Sequence, residues 1–120
     1  MERVYNEQSD ETKQTYTTFI VKNNSMDDGT RTSFECGDKL ETVAVSIYEL
    51  KETLTKNLSG FWIIEVANDV LIRQITEYNQ INNTVLCHAL NINYKDMIID
   101  LANINKVHKV VRLRPKQVSY

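Results

Sequence analysis

The sequence is short of the residues on which many specialised sites depend. Its three glycines are isolated from one another, so the chain has no glycine-rich loop for a phosphate group. It contains no C-x-x-C or H-x-x-x-H spacing, and Cys87 and His88, as neighbours in a strand-like run, point to opposite faces. The turn Asp27-Asp28-Gly29 lacks the alternating acidic order of a calcium loop. We therefore expect neither a metal nor a cofactor.

Cysteine, charge and long apolar runs are also scarce. Cys36 and Cys87 allow one disulfide at most, and the chain carries no signal peptide, which favours reduced thiols and a cytoplasmic location. No apolar run approaches the roughly 18 residues of a membrane-spanning helix. The formal net charge of −2 leaves no basic footprint for nucleic acid. We expect a soluble protein that contacts neither membrane nor nucleic acid through these residues.

The length and composition indicate a single domain. The chain has 120 residues, of which 42% are hydrophobic, enough for one buried core. The first fifteen residues, "MERVYNEQSDETKQT", are polar and can bury little. We interpret 1–15 as a flexible leader or linker remnant and 16–120 as the domain.

Alternating and β-branched segments predict a mainly β fold. "YTTFIVK" and "GDKLETVAV" are typical of strands, and "FWIIEVANDVLIRQITEYN" predicts a hairpin that turns at Ala67-Asn68-Asp69. Further strands are indicated by "NTVLCHALN", "DMIIDL" and "HKVVRLRP". In the last of these, apolar Val111 and Leu113 lie between basic residues, which favours an edge or half-exposed strand.

One segment has helical periodicity instead. Apolar residues recur at three and four positions in "SIYELKETLTKNL", and Ser46 with Glu49 forms a capping-box pattern. We predict one short helix at about 46–58, ended by Ser59-Gly60. The fold class is therefore mainly β and compact, with a single helix.

Ser25 is the one residue that could carry nucleophilic chemistry. It follows a strand and begins the turn "SMDDG", where its hydroxyl could meet a substrate carbonyl. No histidine is placed by sequence to activate it, and serine beside asparagine is common in turns because both satisfy nearby backbone groups. Taken alone, the residues leave both interpretations open and favour an ordinary turn serine.

The order of several motifs adds a resemblance to a known family. "FIVKNNSMDDG", "FECGDKLETVAV", "FWIIEVANDVLIRQI", "VLCHALNINYKDMIIDL" and "HKVVRLR" follow one another as in the C-terminal domains of LexA, UmuD and phage repressors. The resemblance runs from about Tyr16 to Arg114 and includes Ser25-Met26, Gly37-Asp38 and an Asn-x-x-Tyr element at Asn91 to Tyr94. It implies a compact fold of the LexA and signal-peptidase type.

The resemblance also assigns roles to individual residues. Ser25 stands at the position of the nucleophile, Met26 would supply a backbone N–H to the oxyanion, and Arg73 occupies the position of the family's catalytic lysine. A buried lysine can lose its proton and act as a base, whereas a guanidinium keeps its proton near neutral pH. The resemblance therefore implies a serine peptidase homologue whose activating base is lost.

Two further departures from the family pattern point the same way. The family cleaves an Ala-Gly or Cys-Gly bond upstream of the serine, and residues 1–24 contain neither pair. The glycine that usually stands two residues before the serine is Asn23 here. Asparagine tolerates a left-handed backbone better than most residues, so the turn can be retained.

Three functional hypotheses follow from the resemblance. The leading one is a regulatory dimerisation domain of a phage- or mobile-element-type transcriptional repressor that does not cleave itself, with "HKVVRLRP" in the homodimer contact. The alternative is an active self-cleaving peptidase in which Lys22, Lys39 or His88 serves as the base. The third is a small protein that titrates a co-resident repressor by forming mixed dimers. These residues do not include the helix-turn-helix domain that gives LexA-like repressors their DNA binding, so the resemblance leaves two interpretations open: a separated C-terminal domain, or a stand-alone form like UmuD.

Overall fold

The computed structural model describes residues 15–27, 29 and 34–114. Within these residues the chain forms one antiparallel sheet of seven strands and one α-helix, which confirms the mainly β fold class. The elements are β1 (Tyr16–Ile20), β2 (Lys39–Val45), α1 (Ile47–Lys56), β3 (Phe61–Val66), β4 (Asp69–Asn79), β5 (Thr84–His88), β6 (Met97–Asp100), a 3₁₀ turn (Leu101–Asn103) and β7 (Ile104–Arg114). The leader predicted at 1–15 lies almost wholly outside the described residues.

The sheet places the last strand at its centre. The strand order is β1-β2-β7-β3-β4-β5-β6, so β7 lies between β2 and β3. It pairs with β3 as far as Lys109, and from Val110 to Arg114 its only partner among the described residues is β2. The prediction of an edge strand is therefore wrong at His108 and Lys109, because β7 is paired on both sides from Val107 to Lys109. β7 also begins at Ile104, four residues before the predicted start.

The helix forms where the sequence predicts it and ends slightly earlier. Ser46 caps its start: the Ser46 hydroxyl accepts from Glu49 N at 3.1 Å, and Glu49 Oε1 accepts from Ser46 N at 2.9 Å. The last helical residue is Lys56, because Asn57 is extended and its side chain accepts from Ser59 N at 3.0 Å. This local bond competes with helical geometry, so the helix ends before Ser59-Gly60 is reached.

The hairpin turn is tighter than the sequence suggests. Asp69 already belongs to β4, which leaves only Ala67 and Asn68 to connect the two strands. Ala67 has a φ of 53°, in the left-handed region that favours glycine. The two-residue connection fixes the register of β3 against β4, and with it the position of Arg73 opposite Trp62.

Two apolar clusters lie on opposite faces of β3. Alternation along the strand sends Trp62 and Ile64 to one face and Ile63 to the other. The helix-side cluster comprises Leu50, Leu54, Trp62, Ile64, Ile75, Val85, Cys87, Ile99, Leu101, Ile104 and Val107. The serine-side cluster comprises Val21, Met26, Phe34, Leu40, Ile63 and Ala89. Met26, which follows Ser25, belongs to the second of these, whereas Arg73 stands opposite Trp62 and leaves the sheet on the face of the first.

No helix in the described part of the chain is both long and apolar enough to cross a membrane.

Candidate functional site

Ser25 lies in a tight turn between β1 and β2. The Asn23 side chain accepts from Ser25 N at 3.0 Å, and Asp27 N donates to Asn24 O at 3.1 Å. Only 2% of Ser25 is exposed. Asn23 thus holds the turn through a side-chain bond of the kind that asparagine makes in turns, in the place where the resembling family has glycine. Ser25 is a buried turn residue, and its hydroxyl faces the interior.

Met26 anchors this turn to the serine-side cluster. Its side chain is fully buried, and its sulfur accepts from Leu90 N at 3.4 Å. Its carbonyl accepts from Phe34 N at 2.9 Å. These contacts explain why a large apolar residue follows the serine. The proposed use of Met26 N–H toward an oxyanion stays a prediction.

The Gly37-Asp38 pair closes the base of the turn. Val21 N donates to Asp38 O at 2.9 Å, and Gly37 N donates to Val21 O at 2.8 Å. Gly37 has a φ of 99°, a conformation that side chains rarely adopt, so glycine is required there. The Asp38 carboxylate accepts from Glu35 N at 2.8 Å. The role of this motif in the structure is to return the chain from the serine turn into β2.

Arg73 reaches the serine from β4, 48 residues further along the chain. Its Nη1 donates to Ser25 Oγ at 3.0 Å and to the carbonyl of Ile72 at 2.8 Å. Arg73 is only 5% exposed, and its guanidinium carbon lies 5.8 Å from the centre of the Tyr94 ring. The two side chains that the family resemblance pairs are therefore in direct contact. Their catalytic roles stay predictions.

The electrostatic surroundings of Arg73 are unusual for a buried cation. Among the described residues no carboxylate forms an ion pair with it. Burial lowers the pKa of Arg73, while the nearby Cys87 and Tyr94 raise it. A guanidinium remains protonated near neutral pH, so the Ser25 hydroxyl accepts a hydrogen bond from a cation. Such a contact orients the serine but removes no proton from it.

A second turn, from Asn91 to Tyr94, clamps the serine turn from outside. Asn91 N donates to Ser25 O at 2.8 Å, and Asn91 Nδ2 donates to Asn24 O at 2.9 Å. The Tyr94 hydroxyl donates to Asn24 Oδ1 at 2.8 Å. The sequence predicts an Asn-x-x-Tyr element here from the resemblance alone, without indicating what it contacts. In the structure, Asn91 bonds the carbonyl groups of the peptide bonds before and after Ser25, so the element fixes the backbone on both sides of this residue.

The residues considered as alternative bases lie elsewhere. Lys22 and Lys39 are exposed, and His88 Nδ1 is 2.7 Å from Asp96 Oδ1. Within residues 15–27, 29 and 34–114, neither a lysine nor a histidine hydrogen-bonds to Ser25; its Oγ contacts Arg73. The same residues contain no group of three or more potential metal ligands. Asp28, part of the acidic turn, lies outside the described residues.

An open groove of about 400 Å³ runs beside the serine turn. It lies between the end of β1 and the β3–β4 hairpin. Two of its lining residues, Asn23 and Ile72, are close in the chain to Ser25 and Arg73. Ser25 and Arg73 are not among its lining residues, which are Thr18, Phe19, Ile20, Lys22, Asn23, Ile63, Val70 and Ile72. A chain held in this groove would pass near the serine without touching its hydroxyl.

Two residues near the site would not be found by motif matching. Cys87 lies in the helix-side cluster, where burial raises the pKa of its thiol to about 11 against a smaller lowering by Arg73. Trp62 stands directly opposite Arg73 in the β3–β4 register. The only signal in the sequence was their position in strand-like segments.

Comparison with known proteins supplies no relative for this chain. No family model, no curated protein and no solved structure matches it.

Proposed function

We propose that this domain is a regulatory, self-associating module of a phage- or mobile-element-type transcriptional repressor that does not cleave itself. The observation that carries the proposal is the buried hydrogen bond of 3.0 Å from Arg73 Nη1 to Ser25 Oγ. It joins the two positions that would form the dyad of a LexA-like peptidase. Arg73 donates this hydrogen bond and keeps its proton near neutral pH, so it does not serve as a general base. An acyl-transfer site needs a group that can accept the serine proton.

The surroundings of the pair support a binding role over a catalytic one. Ser25 is 2% exposed and the adjacent groove stops short of its hydroxyl. The turn is nonetheless held by bonds from Asn91 and Tyr94. A peptidase needs its nucleophile within reach of the substrate carbonyl, whereas a structural serine needs only its partners. The pair therefore acts as a structural link between the serine turn and β4.

Self-association would use the second half of β7. Among residues 15–27, 29 and 34–114, the stretch from Val110 to Arg114 has a pairing partner on the β2 side only, and Val111 is 48% exposed. Val111 lies at a bulge, because Thr42 pairs with Val110 and Glu41 with Arg112. Backbone groups on an open strand edge are a template for pairing with a second chain. A homodimer with a two-fold axis near Val111 fits this geometry.

The catalytic half of the proposal is tested with a serine-directed fluorophosphonate probe. We expect the wild-type chain to remain full-length and unlabelled from pH 7 to pH 10. The Arg73→Lys variant supplies a group able to lose its proton as pH rises, and its smaller side chain frees space beside the buried Ser25, so this variant should gain labelling at the alkaline end. The matched control is the double variant Ser25→Ala with Arg73→Lys, which should stay unlabelled. Labelling or self-cleavage of the wild-type chain would establish the peptidase alternative instead.

The association half is tested by sedimentation and native mass spectrometry at tens of micromolar. We expect a homodimer that Val111→Glu dissociates, since a carboxylate would be buried at the contact. Ile98→Glu, a matched change at an exposed isoleucine of β6, should leave the dimer intact. A monomer at all concentrations would refute the homodimer. Mixed species formed with a co-resident repressor would favour the titration hypothesis.

A further inference from the structure

Two buried N–H donors on facing residues of β3 and β4 have no acceptor among the described residues. They are Arg73 Nε and the indole Nε1 of Trp62. The two residues are 5% and 1% exposed, so bulk water does not reach these atoms. A buried donor without an acceptor destabilises the fold, and more so when the donor is charged. Two such donors on facing residues make this part of the sheet a candidate site for a bound acceptor.

The register of the sheet brings the two donors together. Trp62 and Arg73 are direct antiparallel partners on β3 and β4, so their side chains leave the sheet on the same face. Cβ atoms of such partners are about 4.5–5.5 Å apart. Arg73 directs Nη1 toward Ser25 Oγ and Ile72 O, which leaves its Nε for a different acceptor.

The charge of the site points to an anion. Arg73 has no ion pair with a described carboxylate. The neighbouring Cys87 is uncharged near pH 7, because burial raises the pKa of its thiol to about 11. A buried cation without a counter-charge is strongly destabilising. A bound water molecule would satisfy a donor but not the charge, whereas an anion satisfies both.

We propose that the Arg73 guanidinium and the Trp62 indole N–H bind a small monovalent anion of halide size. Both side chains are almost fully buried, which excludes a larger group such as a nucleotide or a peptide carboxyl with its chain. The anion would accept from Arg73 Nε and Trp62 Nε1 and neutralise the guanidinium. This inference rests on the two donors and the charge, and it holds whether or not the domain belongs to a repressor.

The chain provides its own reporter, because Trp62 is its only tryptophan. Quenching of Trp62 fluorescence is measured with iodide and with neutral acrylamide at constant ionic strength, balanced with sodium sulfate, whose anion is neither monovalent nor of halide size. We expect iodide quenching to saturate and to exceed acrylamide quenching, the reverse of the order for an indole that is merely buried. Added chloride should compete and reduce the iodide effect. Iodide quenching that is linear, weaker than that of acrylamide and insensitive to chloride would overturn the proposal in favour of a bound water.

A pair of variants locates the site. Arg73→Gln keeps a hydrogen-bond donor but removes the charge, and it should abolish the saturable iodide component while leaving acrylamide quenching unchanged. Arg112→Gln removes an exposed arginine that pairs with Glu41, and it should quench like the wild-type chain. Saturable iodide quenching that survives in Arg73→Gln would refute the assignment. If Arg73→Gln fails to fold, chloride competition in the wild-type chain decides.

Discussion

The two clusters on opposite faces of β3 differ in their composition. The helix-side cluster contains eleven buried residues, all apolar or, as with Cys87, weakly polar, packed beneath α1. The serine-side cluster has six buried apolar residues, including Met26, and the adjoining Ser25 is buried and hydrogen-bonded by the buried Arg73 side chain. The first is stabilised by area removed from water and the second by particular hydrogen bonds. Substitutions in the two clusters should therefore destabilise the protein in different ways.

The largest effect should come from a cavity in the helix-side cluster. Ile64 is fully buried there, and Ile64→Ala should lower the free energy of unfolding by about 2–5 kcal/mol. Urea unfolding followed by Trp62 fluorescence measures this change. Ile98→Ala is the matched control, because Ile98 is 73% exposed, and it should change stability by less than about 0.5 kcal/mol. Equal losses in the two variants would mean that Ile64 does not lie in a close-packed core.

The next largest effect is a dependence of stability on pH, which comes from Cys87 in the helix-side cluster. Burial raises the pKa of Cys87 from its ordinary value of 9.0 to about 11. Above pH 9 the unfolded chain releases the thiol proton while the folded chain retains it, so unfolding becomes easier as pH rises. The stabilising contribution is complete below pH 9 and is lost as pH rises toward 11, on the order of 2 kcal/mol in all.

The measurement is a comparison of urea unfolding between wild type and Cys87→Ala from pH 7 to pH 11. Other groups titrate in the same range, and the difference between the two proteins isolates the thiol. We expect a constant difference below pH 8.5 and a fall in the relative stability of the wild-type chain above pH 9. A difference that stays flat to pH 11 would show that the thiol titrates alike in the folded and unfolded chains.

The helix-side cluster was largely predictable, because local patterns determine it. β-branched runs indicated the strands, and the Ser46–Glu49 capping box formed with both of its hydrogen bonds. The details that differed depend on side-chain bonds that periodicity does not encode. Asn57 ends α1 by bonding Ser59, and Asp100 starts the 3₁₀ turn by accepting from Ala102 N, so that β7 begins at Ile104.

The serine-side cluster was predictable only through the order of motifs. Ser25 and Arg73 are 48 residues apart in the chain, and no local spacing relates them. The resemblance to LexA-like domains indicated that they should meet, but the contacts of Tyr94 and Asn91 with Asn24 require the folded sheet. The orphan donors on Trp62 and Arg73 depend on strand register, which the two-residue turn at Ala67 fixes and which the predicted three-residue turn would have changed.

The smallest of these effects should come from the serine-side clamp. Asn91→Ala removes the 2.9 Å bond from Nδ2 to Asn24 O and the acceptor for Asn93 N, with little loss of apolar area. We expect a cost of about 1 kcal/mol in the free energy of unfolding, typical of a net hydrogen-bond contribution. Asn93→Ala, at an exposed neighbour, is the control and should be nearly neutral.

Amide exchange at Ser25 and Met26 extends this last comparison. If the hydrogen bonds of Asn91 hold the serine turn, Asn91→Ala should speed exchange there while the amides of β3 keep their protection, because local opening need not involve the helix-side cluster. Equal acceleration at β3 would mean that the two clusters open together and that their different construction does not make them independent. Unchanged exchange at Ser25 would mean that the turn is held by the buried contacts of Met26 and Arg73 instead. Those contacts would then be sufficient to keep the turn closed without the hydrogen bonds of Asn91.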